Sequence, residues 1–222
     1  MALNNIELRK YSLAEELISA ISHGVGAALS IAALVIGVVF SVLYNDAWCV
    51  VSVAIYGSML IVLYMMSTIY HGLPICTGKK VFRVIDHCSI FLLIAGTYTP
   101  FTLVTLRGPL GWTLFGIAWG GAALGITLNA INIKKFAKLS MVCYLVLGWD
   151  IVFAVKPMLA KLAPGGLVFL LLGGVAYTFG AVLYGIGVHK KYIHSVWHFF
   201  VLAGSILHYF SILFYVILAK PV

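Results

Sequence analysis

A chain of 222 residues, 63% hydrophobic and only 9% charged, with a mean hydropathy of +1.11, has too little polar surface to cover itself in water. A soluble domain of this length, which would carry about 25% charged residues, is excluded, and one membrane-embedded helical bundle over residues 1–222 is expected. The net charge of +8 is spread in twos and threes over short loops, which points to topology and anionic lipid headgroups and away from nucleic acid.

Along the chain, the first twenty residues hold Glu7, Arg9, Lys10, Glu15 and Glu16 and lack the basic-then-apolar layout of a cleavable signal peptide, so insertion is expected to rely on the spans themselves. A helix needs roughly 20 apolar residues to cross about 30 Å of hydrocarbon. Seven stretches meet that length closely enough: 19–43, 48–70, 84–106, 110–130, 138–155, 165–187 and 193–218, the fifth being the shortest. The predicted fold is therefore an all-α, seven-transmembrane helix bundle. Pro74, Pro109, Pro157 and Pro164 sit just beyond predicted ends, where proline stops or starts helices. Pro100 lies inside the third span and should kink it, since it removes one backbone hydrogen bond.

Seven spans put the termini on opposite sides. The amino-terminal side would carry Arg9, Lys10, Lys79, Lys80, Arg83, Lys134, Lys135, Lys138, Lys190 and Lys191, which is ten; the other carries Arg107, Lys156, Lys161 and Lys220, which is four. Positive charge is retained in the cytoplasm, so the N terminus is expected inside and the C terminus outside. Cys49, Cys76, Cys88 and Cys143 form no Cys-x-x-Cys pair and read as small membrane residues. Gly116 with Gly120 and Gly121 with Gly125 read as close-packing positions within the bundle, with dimerisation as the alternative.

Three polar clusters interrupt this apolar background at helix ends on the predicted cytoplasmic side: Ser67 with His71, Asp86 with His87, and His194 with His198. Ionisable groups at membrane depth are costly and are kept where they pair, bind or react. Ser67 and His71 share one helix face at i, i+4 spacing, as do His194 and His198. A helical His-x-x-x-His pair can supply two imidazoles to Zn²⁺, with His71 as third ligand and one position left for water. Asp86 would balance the charge and accept a proton from that water, and Ser67 would donate a hydrogen bond to it or to an oxyanion. A hydrogen-bonded proton relay is the rival reading of the same residues.

Glu16, Ser19 and His23 form a narrow polar stripe on the first span, which either supports the site through hydrogen bonds or anchors a loop. His87 should point about 100° away from Asp86. His208, ten residues beyond His198, is too deep to share an ion and reads as a buried hydrogen bonder, His189 as solvated, and Asp150 as a membrane carboxylate without an assigned partner.

The segments 14–24, Ser67-Thr68-Ile69-Tyr70-His71, 86–101 and His194-Ser195-Val196-Trp197-His198 resemble the bacterial hemolysin III family over nearly the whole chain. That family falls within the progestin and adipoQ receptor group, whose bacterial branch includes membrane homeostasis proteins, and a wider superfamily includes alkaline ceramidases. The resemblance implies a multi-pass protein of the bacterial plasma membrane, with zinc bound by His71, His194 and His198, and Asp86 and Ser67 beside the water. Two functions follow as expectations. One is zinc-dependent hydrolysis of a lipid amide or ester. The other is a non-enzymatic membrane regulator or cytolytic protein in which zinc is structural.

Overall fold

A computed structural model describes residues 6–186 and 190–219. The architecture is all helical: α1 (Leu13–Tyr44), α2 (Ala47–Gly72), α3 (Thr77–Pro100), α4 (Pro109–Gly148), α5 (Val155–Lys161), α6 (Pro164–Ile186) and α7 (Ile193–Ile212). α3 and α7 run on as π-helical turns, Phe101–Leu106 and Leu213–Ile217, and a 3₁₀ segment, Asp150–Ala154, joins α4 to α5. α1 packs on α2, α2 on α3 and α3 on α4, while on its other side α1 meets α7, which packs on α6. The Trp149 indole, donating to the Thr178 hydroxyl at 2.9 Å, ties the end of α4 to α6.

The helices are inverted relative to those of a soluble protein. α1 turns Ser19, Ser22, His23, Gly26, Ser30 and Ser41 inward and leaves Leu17, Ile21, Val25, Val39 and Val42 exposed. In hydrocarbon, apolar side chains gain nothing by hiding from their surroundings, so small and hydrogen-bonding residues make the helix contacts. Ser30 donates to the Gly26 carbonyl at 2.7 Å and the Tyr64 hydroxyl to Ser205 at 2.7 Å.

Six helical stretches among the described residues are long and apolar enough to cross a membrane, not the seven separate spans expected. The predicted fourth and fifth spans, 110–130 and 138–155, fall in one helical stretch, Pro109–Lys161. Within it Asn132 has φ −160° and ψ 94°, outside the helical region. The Ser140 hydroxyl donates to the Asn129 side-chain oxygen at 2.6 Å, whereas eleven residues of straight helix would hold them about 16 Å apart. The chain therefore doubles back at Asn132. No proline or glycine marks this turn, which falls in the gap 131–137 between the two expected spans, beside Lys134 and Lys135.

At Pro100, where a kink is expected, the helix changes from α to π. Pro100 itself keeps helical angles (φ −63°, ψ −40°), and the wider π turn follows it directly. Thr99 and Thr102 donate to the Ala95 and Tyr98 carbonyls at 2.9 Å. The glycine expectation divides: a side chain at Gly121 would meet Leu147, and one at Gly125 the Phe91 ring, whereas Gly116 and Gly120 face open space. All four cysteines are free.

Candidate metal centre

The start of α1 organises the site. Ser12 caps the helix, with the Glu15 backbone N–H donating to its hydroxyl at 3.3 Å and its own backbone N–H donating to the Glu15 carboxylate at 2.9 Å. The other Glu15 oxygen accepts the Tyr192 backbone N–H at 2.7 Å, and Ser195 bonds both the Glu15 carbonyl (3.2 Å) and the Ser19 hydroxyl (3.1 Å). Tyr192, in left-handed backbone at φ 63°, is the residue just before α7. These bonds set the rotation of α7, so that His194 and His198 point inward and are buried.

There they meet His71 from α2. The His194 Nε2 lies 3.2 Å from both the His71 Nε2 and the His198 Nε2, and the three candidate ligand atoms all lie within 4.8 Å of one another. His71 is 3% exposed and His198 fully buried. The His71 Nδ1 lies 2.6 Å from a Glu16 carboxylate oxygen, an acceptor, so Nδ1 carries the proton and Nε2 turns a lone pair toward the other rings. A separation of 3.2 Å matches an edge of a tetrahedron of nitrogen ligands, about 3.3 Å for metal–nitrogen bonds of about 2.0–2.1 Å. The donor set fits a metal ion: three buried imidazole nitrogens within 4.8 Å of one another, two of the separations equal to a coordination edge, with one ring backed by a carboxylate. The group could hold a metal ion.

The other Glu16 oxygen accepts from the Lys79 ammonium at 2.8 Å, and Lys79, only 3% exposed, also donates to the Leu73 carbonyl at 2.8 Å. Tyr11, ahead of α1, stacks on His194 with ring centroids 4.8 Å apart, and burial raises its phenol above its ordinary value. Asp86 is 6% exposed and Ser67 2%, and the carboxylate faces the Ser67 hydroxyl and the His71 ring.

A cavity of ≈ 1070 Å³, its open mouth included, adjoins this cluster. Asp86, His23, Tyr184 and Trp197 line it, together with Leu63, Ile90, Leu93 and Leu145 and with His208, Tyr177 and Trp149.

The sequence profile described as Haemolysin-III related matches residues 11–209, a stretch that contains every residue of the cluster. The chain belongs to the Haemolysin-III related family. It is 43% identical over 203 residues to "Hemolysin-3" of Bacillus cereus, covering 91% of this chain and 92% of that protein. Identity to the "Hemolysin-3 homolog" of Bacillus subtilis (strain 168) is also 43%, over 207 residues, with 92% and 96% covered. The human "Monocyte to macrophage differentiation factor" is 28% identical over 177 residues, with 77% and 72% covered. No solved structure matches the chain.

In this member of the Haemolysin-III related family, the structure brings together the three expected histidines and sets Asp86 and Ser67 beside them. Of the α1 stripe, Glu16 bonds His71, while the His23 ring lies tilted against that of His198 with centroids 3.9 Å apart, its nitrogens without a hydrogen-bond partner among the described residues. His87 turns to the Arg83 carbonyl at 2.8 Å, His208 to the Leu170 carbonyl at 3.0 Å, and one Asp150 oxygen stays without a partner. His189 lies outside the described residues. Sequence reasoning missed Lys79, Tyr11 and the Glu15 clamp. Lys79 was hidden in a basic loop that reads as topology. For Glu15 the signal was present, as Ser12-x-x-Glu15 is a capping-box pattern.

Proposed function

We propose that this protein is a zinc-dependent hydrolase of a membrane lipid amide or ester, acting in lipid homeostasis at the bacterial plasma membrane. The observation that carries this reading is a largely apolar cavity, lined by Asp86 and by His23 and Trp197, both of which touch His198, next to three converging imidazole nitrogens. His71, His194 and His198 would hold the ion. Zinc bound there would supply Lewis acidity toward a carbonyl and lower the pKa of water. Glu16 keeps His71 in the tautomer that leaves Nε2 free. Asp86 takes the proton of the attacking water on a carboxylate oxygen and returns it to the departing amine or alcohol. The Ser67 hydroxyl donates to the oxyanion, and the apolar cavity wall orients the acyl chain and excludes water.

The proposed topology has the N terminus in the cytoplasm and the C terminus outside, in line with the ten-to-four division of basic residues. The Pro109–Lys161 stretch, 53 residues long, would extend about 80 Å if straight, more than twice the hydrocarbon thickness. Folded back at Asn132, its arms would cross in opposite directions and bring the crossings to seven. Basic loops on the inner side would contact anionic headgroups.

Asp86→Asn is expected to keep zinc by metal analysis yet lose about 10²–10⁴-fold in release of fatty acid from long-chain amides or esters. Full activity in that variant would overturn the proton role. The names of the Bacillus relatives favour a second reading, a cytolytic protein in which zinc would be structural. Leakage from dye-loaded vesicles on addition of purified protein, unaltered in Asp86→Asn, would support it.

A further inference from the structure

The three histidines lie toward one end of the bundle. His71 is the penultimate residue of α2 and His194 the second of α7, and both are nearly shut off, at 3% and 5% exposure. An ion has two ways to reach them. The neighbouring cavity is walled largely by apolar side chains such as Leu63, Ile90 and Leu93, where a doubly charged ion would shed its water at heavy cost. The other way is from the helix ends, where the segment 6–12 brings Tyr11 over the rings.

Beyond the site histidines themselves, four aromatic side chains among the described residues lie against the rings of His71 and His194: Tyr70, Tyr184, Trp197 and Tyr11. The first three ride on α2, α6 and α7, whereas Tyr11 lies outside any helix, two residues ahead of α1. It stacks on His194 with ring planes 17° apart and leans on His71 with centroids at 5.9 Å. An imidazole nitrogen binds a metal in the plane of its ring, so a phenol stacked on the ring face covers the site without being a ligand. What holds the segment down is light. Ile6, 5% exposed, packs with Val84 and Ile133, and the Glu7 carboxylate accepts from the Lys134 ammonium at 2.8 Å with side chains 77% and 67% exposed. The Arg83 guanidinium donates to the Glu7 carbonyl, and that of Arg9 lies 5.2 Å from the Tyr11 ring centroid. Ile133 and Lys134 directly follow Asn132, so the fold-back of α4 builds the dock.

One buried aliphatic side chain and an exposed ion pair mark a piece of chain that opens locally while the helices beneath it stay folded. We propose that residues 6–12 form a strap that gates the metal centre, with Tyr11 as its cover, so that the ion enters and leaves while the strap is lifted from Val84, Ile133 and Lys134. This gating rests on the reading of the three histidines as a zinc site and adds how that site is loaded. A cover that is no ligand multiplies the rates of loading and release by the same open fraction, so it slows both and leaves the affinity unchanged.

Full-length protein in nanodiscs is loaded with zinc, and two rates are timed: release to an excess of chromogenic chelator, and uptake by the stripped protein. An open state populated at about 0.1–10% predicts that Tyr11→Ala raises both rates about tenfold or more, with the affinity held within about threefold. Tyr11→Phe keeps the ring and should exchange at the wild-type rate. Glu7→Lys, at an exposed position outside the helices, sets like charges against each other and should raise both rates about two- to fivefold, the equivalent of an exposed ion pair. Wild-type rates in either Tyr11→Ala or Glu7→Lys overturn the proposal, and the second variant decides it should the first fail to fold. Faster release with unchanged uptake overturns it too, since Tyr11 would then support the bound ion instead of covering it. Failure of the unaltered protein to retain zinc overturns the metal reading itself, and the gating with it.

Discussion

Two ion pairs of nearly equal length stand at opposite ends of the bundle. Lys79 and Glu16 meet at 2.8 Å with their side chains 3% and 16% exposed, while Arg107 and Asp46 meet at 2.7 Å with theirs 56% and 45% exposed. The first is wedged against His71 and a buried carbonyl. The second is exposed beside the α2 N terminus, where Asp46 caps the helix by accepting the Cys49 backbone N–H at 3.1 Å. Distance alone does not rank them. The buried pair has given up its hydration, so each charge depends on the other and the pair can govern a neighbouring imidazole; the exposed pair can dissolve into solvent at little cost.

The largest expected effect comes from breaking the buried pair. Lys79→Ala leaves the Glu16 carboxylate against His71 without its cation and should destabilise the protein by about 3–5 kcal/mol, read as a lowered Tm in detergent or nanodiscs. A change below that of an exposed-pair variant would erase the distinction. Next, Glu16→Gln keeps the shape but removes the charge behind His71 and should weaken metal retention by about 10–100-fold, measured by competition with a chromogenic chelator. Unchanged retention would show that His71 needs no carboxylate to hold its tautomer.

The smallest effect belongs to the exposed end. Arg107→Ala should cost about 0–1 kcal/mol and lose its effect at high salt. The Cys49 N–H, aided by Arg107 and opposed by partial burial, holds the Asp46 carboxylate below its ordinary value of 3.8. A depressed folded-state value means that the contribution of Asp46 is complete above that ordinary value and disappears as pH falls through the lower folded value. Acid titration of unfolding in wild type and Asp46→Ala should converge in that range. A gap that persists under full protonation would assign the cap to the helix backbone instead.

How much was legible beforehand differs from residue to residue. His194 and His198 declared themselves because i, i+4 spacing puts two imidazoles on one helix face whatever surrounds them. Ser67 and His71 did the same on α2. Glu16 was visible as part of a polar stripe, but a stripe has two readings until a partner helix is placed beside it. Lys79 could not be read, since a lysine in a loop with Lys80 and Arg83 looks like a topology signal, and only the fold buries it. The turn at Asn132 falls in the gap left between the fourth and fifth stretches, 131–137, but the Ser140–Asn129 bond beside it is a contact that exists only after the chain has doubled back.

By itself the sequence determined the membrane class and the limits of most helices, because hydrocarbon thickness sets a length that apolar runs must match and local spacing sets which side chains share a face; the family was legible through the resemblance of its motifs. Tertiary structure alone decided that α1 clamps the start of α7, that Glu16 answers both His71 and Lys79, and that His23 and His208 open onto one cavity. In a bundle whose outer surface is uniformly apolar, the rotation and pairing of helices are chosen by sparse interior hydrogen bonds between residues far apart in the chain, and linear order carries little of that information.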